Sequence, residues 1–247
     1  LEEAKRGDLV RTVNAPGAIE PQTSVKISAQ VSSRIIALPF REGDTVRKGD
    51  VVVRLDAQVV MARLDAAKSQ LAVQEAQLDG VRASLALAEA DVGRWRELFG
   101  TKDIAKSELE ATEARYLQAK SALAAAEAGL LVARAEIAER EKDLANTVIA
   151  APIDGTITRQ DTEVGEQVLG TLQAAGTVIL EIADLSRMVL RARVDEANIG
   201  PVRPGQRAKV YLTQQMDEPF DGTVERIKLT REMERDGTGY FEAEILV

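Results

Sequence analysis

Between residues 57 and 146, apolar side chains return every seven residues in two runs. Leu64, Leu71, Leu78, Leu85, Val92 and Phe99 form one series, with Val60, Ala67, Gln74, Val81, Ala88 and Trp95 as its companion phase. The second run is Leu109, Tyr116, Leu123, Leu130, Ile137 and Leu144, accompanied by Thr112, Ala119, Ala126, Ala133 and Arg140. A two-position seam held over about six heptads is the mark of a coiled coil. The runs are separated only by Phe99-Gly-Thr-Lys-Asp-Ile104. Gly100 suits a helix end, and Thr101 or Asp103 can cap the helix that follows. So short a break between equal helices predicts an antiparallel hairpin. At 1.5 Å per residue, the stretch from Ala57 to Leu98 makes a rod roughly 60 Å long, with its tip near residues 98–106. Alanine at most companion positions of the second helix lets the backbones approach closely. Gln74, Thr112 and Arg140 interrupt the seam, and polar seam residues fix register at some cost in stability.

The pattern on either side of the rod has period two. Residues 31–55 read as strands punctuated by Gly43-Asp44 and Gly49-Asp50. The pattern returns after the rod. With 122 added to each number, Val31 falls on Ile153, Ile35 on Ile157, Gly43 on Gly165, Asp44 on Glu166 and Val46 on Val168. After a short insertion between Gly170 and Gly176, Val51-Val52-Val53-Arg54-Leu55 falls on Val178-Ile179-Leu180-Glu181-Ile182. This is an internal repeat. Each copy offers two strands and a Gly-acidic turn, and an isolated hairpin is marginal in water. Residues 24–56 are therefore expected to pack on residues 147–184 as a quasi-symmetric flattened sandwich, with residues 57–146 inserted between its halves.

Residues 185–247 read as further short strands. These are Met188–Val194, Ala208–Leu212, Gly222–Ile227 and Tyr240–Val247, with a turn at Arg203-Pro-Gly-Gln206. A small β-barrel is the expected solution. Asp195 is expected to cap a short helix ending at Ile199. Leu9–Val13 is read as a strand, and residues 1–23 as joining the barrel or a membrane-proximal domain. The fold class is thus mixed α and β, elongated and multi-domain.

Composition narrows the chemistry. The chain has 247 residues, no cysteine and no histidine. Disulfides, thiolate sites, the commonest general base and the commonest transition-metal ligand are excluded together. A net charge of -8 argues against nucleic acid as the main partner. There is no phosphate-cradling glycine loop and no catalytic constellation. No enzyme activity, metal or cofactor is expected. No stretch reaches the roughly 18 apolar residues of a membrane-spanning helix.

Gly-Asp-x-Val-x-Lys-Gly-Asp at 43–50 and Ala-Pro-x-x-Gly-x-Ile at 151–157 resemble the biotinyl/lipoyl carrier fold. In true carriers a tight hairpin joins the halves and presents the modified lysine. Here the ninety residues from Ala57 to Asn146 stand in that place, and the nearest lysines, Lys68 and Lys142, lie in helical patterns. A carrier domain remains the alternative from another class, and a plain structural coiled-coil protein a third. The nested order of barrel, half sandwich, hairpin, half sandwich and barrel resembles the periplasmic adaptors, or hemolysin-D-like membrane fusion proteins, of tripartite efflux pumps.

That resemblance implies a periplasmic protein of a Gram-negative bacterium. It would be anchored to the inner membrane by an N-terminal segment outside this chain, with the membrane-proximal domain missing or incomplete. Several copies, six by family resemblance, would form a ring joining an inner-membrane transporter to a TolC-like outer-membrane channel. The long hairpin and residues 183–206 look most like adaptors of ABC-type transporters, as in macrolide export, with the RND type as runner-up. The family's tip motif is an Arg, a Leu four residues on and a Ser about seven further. Arg94 and Leu98 match it, whereas the Ser position falls on Ala105, with Ser107 nearby. Arg94, Leu98, Thr101, Lys102, Ala105 and Ser107 are the expected channel contacts. Arg159, Gln160 and Asp161 are read as a loop facing the central channel of the ring.

Overall fold

A computed structural model of the chain describes residues 12–170, 176–212, 215–228, 230–233 and 239–247. The strands are β1 (Gly17–Ser28), β2 (Ser33–Ala37), β3 (Thr45–Val46), β4 (Val51–Leu55), β5 (Val148–Ala150), β6 (Gly155–Gln160), β7 (Gln167–Val168), β8 (Val178–Asp195), β9 (Arg207–Leu212), β10 (Gln215–Ile227), β11 (Glu232–Met233) and β12 (Gly239–Leu246). Two helices, α1 (Gln58–Gly100) and α2 (Lys106–Ala145), stand between β4 and β5.

The two repeat copies exchange strands. β2 of the first copy pairs antiparallel with β7 of the second, and β3 of the first with β6 of the second. One sheet runs β5-β4-β2-β7; β6 and β8 belong to the other. The core between them is aliphatic. Val46, Val52, Val53 and Ile35 from one copy meet Ile157, Val168, Ile179 and Ile182 from the other, all at most 1% exposed. Neither copy could bury these side chains alone, which is why the fold needs both.

The turns repeat as well. Gly43, Gly49, Gly165 and Gly205 have φ between +86° and +97°, a region where glycine carries no Cβ penalty. In each case the next residue's side chain accepts a hydrogen bond from the backbone N–H three positions before it. These are Arg41 to Asp44 and Arg47 to Asp50 at 2.8 and 2.9 Å, Glu163 to Glu166 at 3.1 Å and Arg203 to Gln206 at 2.9 Å. The Gly-acidic dipeptides therefore close the turn twice, once with the backbone and once with the carboxylate.

β8 ties the molecule together. Its 18 residues merge two strands that the sequence suggests are separate. One edge is taken throughout by β1, and the other is shared between β6 near Ile182 and β12 from Val189 to Asp195. Between Thr23↔Asp184 and Pro21↔Met188 the register slips, and Leu185, Ser186 and Arg187 bulge out exposed. The far end continues through β12, β10 and β9 around a second small core of Ala192, Val210, Val224 and Ile245. Among the described residues this sheet does not close, so the strands of the expected barrel lie side by side as an open sheet.

Three local expectations are corrected. The first strand begins at Gly17. Leu9–Arg11 lie outside the described residues, and Thr12 and Val13 are not in a strand. Residues 196–200 form turns and no helix, with the Asn198 N–H bonded to the Asp195 carbonyl at 2.9 Å. Gly200-Pro201 follows too soon for a helix to gain a second turn. Arg159 and Gln160 belong to β6, and only from Asp161 does the chain leave the strand; most of the insertion at 170–176 lies outside the described residues.

The helices pair along the expected seam. Every seam position is buried or half-buried except Phe99. Thr112 is buried because its hydroxyl donates to the Glu108 carbonyl one turn back, at 3.0 Å, which satisfies the polar group inside the helix. Arg96 meets Glu113 at 2.9 Å and Glu75 meets Arg134 at 3.7 Å. Both pairs of numbers sum to 209, as antiparallel register requires. All four side chains are substantially exposed, so each pair contributes less than about 1 kcal/mol; register is set by the buried seam.

Candidate functional site

Where α1 meets α2, the chain reverses in the five residues 101–105. The Lys102 N–H bonds to the Phe99 carbonyl at 3.0 Å, and the Asp103 N–H to the Leu98 carbonyl at 3.0 Å. This doubly bonded stop normally places glycine at its left-handed position. Here that position is Lys102, with φ +69°, the one non-glycine residue with positive φ among those described. Gly100 is instead the last helical residue, so the helix stop expected of it is supplied by Lys102 in a conformation disfavoured for side-chain-bearing residues. The Thr101 hydroxyl donates to the Leu98 carbonyl at 2.9 Å and also pairs with the Asp103 carboxylate. Thr101 and Asp103 thus close α1 and do not cap α2. The cap of α2 is Ala105, whose N–H donates to the Glu108 carboxylate at 3.2 Å. Alanine offers no acceptor in return, so only half of the reciprocal capping arrangement is present.

The tip is apolar and open. Leu98 is 37% exposed and Phe99 40%. The heptads read Phe99 as a seam residue, but it stands at the last seam position of α1 and is exposed. Phe99 and Asp103 are the tip residues that motif matching overlooks. The end of the heptad run was the available signal, since the last seam position is covered by neighbours from one side only. Arg94 lies one turn below Leu98 and pairs with Asp91 at 3.6 Å, both exposed. Thr101, Lys102, Ala105 and Ser107 are exposed as well. The structure therefore brings Arg94, Leu98, Thr101, Lys102, Ala105 and Ser107 together at one end of the rod.

Arg159, Gln160 and Asp161 lie on the sandwich, beyond the other end of the rod. Arg159 Nε meets Asp161 Oδ1 at 2.6 Å. The Gln160 N–H donates to Glu42 at 2.6 Å, and its amide to the Thr162 carbonyl at 3.0 Å. This corner is fixed by its own hydrogen bonds and shares no contact with the tip.

Asp184 sits at the slip in β8. The Ser186 hydroxyl and then the Ser186 N–H donate to its carboxylate, with Arg187 adding a smaller attraction, and these hold its pKa below the ordinary aspartate value. No helix among the described residues is long and apolar enough to cross a membrane.

Residues 23–180 match the family described as RND MFP, barrel-sandwich hybrid domain. The chain is 34% identical over 84% of its length to the pyoverdine export membrane fusion protein PvdR of Pseudomonas putida, covering 52% of that protein. It is 27% identical over 94% of its length to the macrolide export protein MacA of Yersinia pestis, covering 62% of it. The chain spans about half the length of the curated relatives it matches. Among solved structures, MacA from Actinobacillus actinomycetemcomitans superposes with a TM-score of 0.83 at 27% identity, over 94% of this chain and 71% of that one.

Proposed function

The chain belongs to the membrane fusion protein family that carries the RND-type barrel-sandwich hybrid domain, and from that premise we propose that it is the adaptor of a tripartite efflux pump in the periplasm of a Gram-negative bacterium. It bridges an inner-membrane transporter and a TolC-like outer-membrane channel. One observation carries this reading. A hairpin of two helices, 43 and 40 residues long, is inserted where a carrier domain would present its lysine, and its exposed apolar end stands far from the sandwich. At 1.5 Å per residue the reach is about 65 Å, enough to span a gap between two membrane-embedded partners.

In this reading Leu98 and Phe99 seat against the channel, Arg94 and Lys102 supply the polar rim, and Ala105 and Ser107 allow close approach. Several copies, six by family resemblance, form a ring around a conduit, with the Arg159–Asp161 corner facing its axis. The protein catalyses nothing, and the energy for export comes from the transporter. The likeness to MacA favours an ABC-type partner; the family description names RND adaptors, which makes that type the second reading. An N-terminal anchor and a membrane-proximal domain complete the full-length protein.

The absence of native cysteine makes the test direct. Full-length protein carrying Ala105→Cys, or Ser121→Cys part-way down the rod, is exposed to a thiol crosslinker in cells. A crosslink to an outer-membrane channel from position 105 and not from 121 is expected. No crosslink from position 105, with the protein folded and expressed, would remove the tip from the channel.

A further inference from the structure

Among the described residues five carry positive φ. Four are glycines, at 43, 49, 165 and 205, and the fifth is Lys102 at +69°. A Cβ in that region crowds the following carbonyl, so a side chain there weakens the turn unless something beyond the local geometry requires it. Nothing among the described residues requires this one. The turn is closed by the backbone N–H groups of Lys102 and Asp103 and by the Thr101 hydroxyl. The lysine side chain adds no hydrogen bond and no ion pair to it. A glycine stands only two residues away, at Gly100, but inside α1.

Lys102 also differs from its neighbours in charge. The cations between residues 91 and 110 are Arg94, Arg96, Lys102 and Lys106. Arg94 meets Asp91 at 3.6 Å, Arg96 meets Glu113 at 2.9 Å and Lys106 meets Glu110 at 3.1 Å. Lys102 alone has no carboxylate partner. Its neighbour Asp103 is already bonded to the Thr101 hydroxyl. The lysine is exposed at the end of the rod, and Leu98 and Phe99 are bare beside it. A strained backbone, an ammonium with nothing to neutralise it and open apolar side chains thus coincide within residues 98–102. A local rule broken without an internal gain marks a position held for its function.

We propose that Lys102 is a specificity-determining residue, its ammonium kept at the apex, although it weakens the turn, to meet a carboxylate of the outer-membrane partner beside the seat of Leu98 and Phe99. This rests on the tip docking proposed above and adds the chemistry of the surface that receives the tip. A compact ammonium on a flexible four-carbon stem reaches past the turn and pairs with a single point charge. Arg94, one turn below, adds little to the field at the apex, because Asp91 offsets it. The chain as a whole carries a net charge of -8, so an acidic surface repels most of the molecule and attracts this end. The rod is thereby steered tip first. With several copies side by side, the apices present several such cations together, which favours an acidic channel mouth and rejects a basic one. Position 102 therefore trades stability of the turn for choice of partner.

Full-length protein carrying Ala105→Cys is compared in cells with the same protein carrying Lys102→Gly, Lys102→Arg or Lys102→Glu in addition. Lys102→Gly relaxes the turn and should raise the melting temperature, yet lower the yield of channel crosslink by about fivefold or more. Lys102→Glu should lower it further. Lys102→Arg keeps both charge and strain and should stay within about twofold of the parent. An Arg variant that falls as far as the Gly variant would overturn the proposal, because charge would then not be what the partner reads. A carbodiimide, which joins an amine to a carboxylate without a spacer, gives a second readout. It should link the Lys102 peptide to an Asp or Glu of the captured channel, and a map in which Lys102 is never joined to the channel counts against the contact. Absence of any crosslink from the Ala105→Cys parent would refute tip docking itself. Capture that is undiminished by Lys102→Gly would refute the role of the lysine and leave tip docking standing.

Discussion

Ile35 and Ile157 make the same hydrogen bonds from opposite copies of the repeat. The Ile35 N–H donates to the Glu166 carbonyl at 2.9 Å, and the Ile157 N–H to the Asp44 carbonyl at 3.0 Å. In return the Gly165 N–H donates to the Ile35 carbonyl at 2.8 Å, and the Gly43 N–H to the Ile157 carbonyl at 2.9 Å. Adding 122 to 35, 43 and 44 gives 157, 165 and 166, so each bond is carried onto its mate by a pseudo-twofold operation. Each isoleucine is 1% exposed.

Equivalent places should respond alike. Ile35→Ala and Ile157→Ala are each expected to cost about 2–5 kcal/mol through lost burial and a residual cavity. The two values should agree within about 1 kcal/mol in urea unfolding followed by circular dichroism. A difference of several-fold would mean that the halves are not energetically symmetric.

The seam is tight where it is lined by alanine. Ala133 is 6% exposed between the helices, so Ala133→Leu should force them apart and lower stability by about 1–3 kcal/mol. Ala128→Leu, on the exposed surface of α2, should change it by less than about 0.5 kcal/mol. Thermal unfolding of the two variants side by side checks this.

At the tip, Lys102→Gly removes the Cβ from a left-handed residue and should stabilise the turn by about 1 kcal/mol. Amide exchange at Thr101–Asp103 should slow accordingly. If it speeds up, the lysine side chain contributes more to the turn than its backbone geometry costs.

Asp184 gives a pH signature. Its folded pKa is lowered, first by the Ser186 hydroxyl and then by the Ser186 N–H. Its contribution is therefore present above the unfolded aspartate value near 3.9 and is lost as pH falls through the lower folded value. Asp184→Asn should be less stable than wild type from pH 6 to 8, and the gap should shrink as pH falls through the lowered folded value. The carboxylate is exposed, so the gap is small. Denaturation midpoints across pH provide the measurement, and a constant gap would remove the ionic cause.

Much of this architecture is legible along the chain. Heptad spacing identifies both helices, their antiparallel pairing and all but one of the seam residues, because burial between two helices imposes a single period over many turns. The Gly-acidic turns and the offset of 122 reveal the repeat, because only glycine supports the required φ without a Cβ penalty. Resemblance to the family's tip motif, and not periodicity, is what singles out Arg94 and Leu98.

Other features depend on what the chain meets in space. That β2 pairs with β7 and β3 with β6 is a choice among partners separated by more than a hundred residues, and local pattern is indifferent to it. That Val178–Asp195 is one strand follows from β1 running along its whole edge, across a bulge that the dipeptides around Asp184 read as a break. The stop at Lys102 and the exposure of Phe99 follow from how the chain turns between the helices. Periodicity, which is local, was enough to determine the hairpin and the repeat; pairing, register and exposure were decided only by the folded molecule, because they depend on the neighbours that surround each residue.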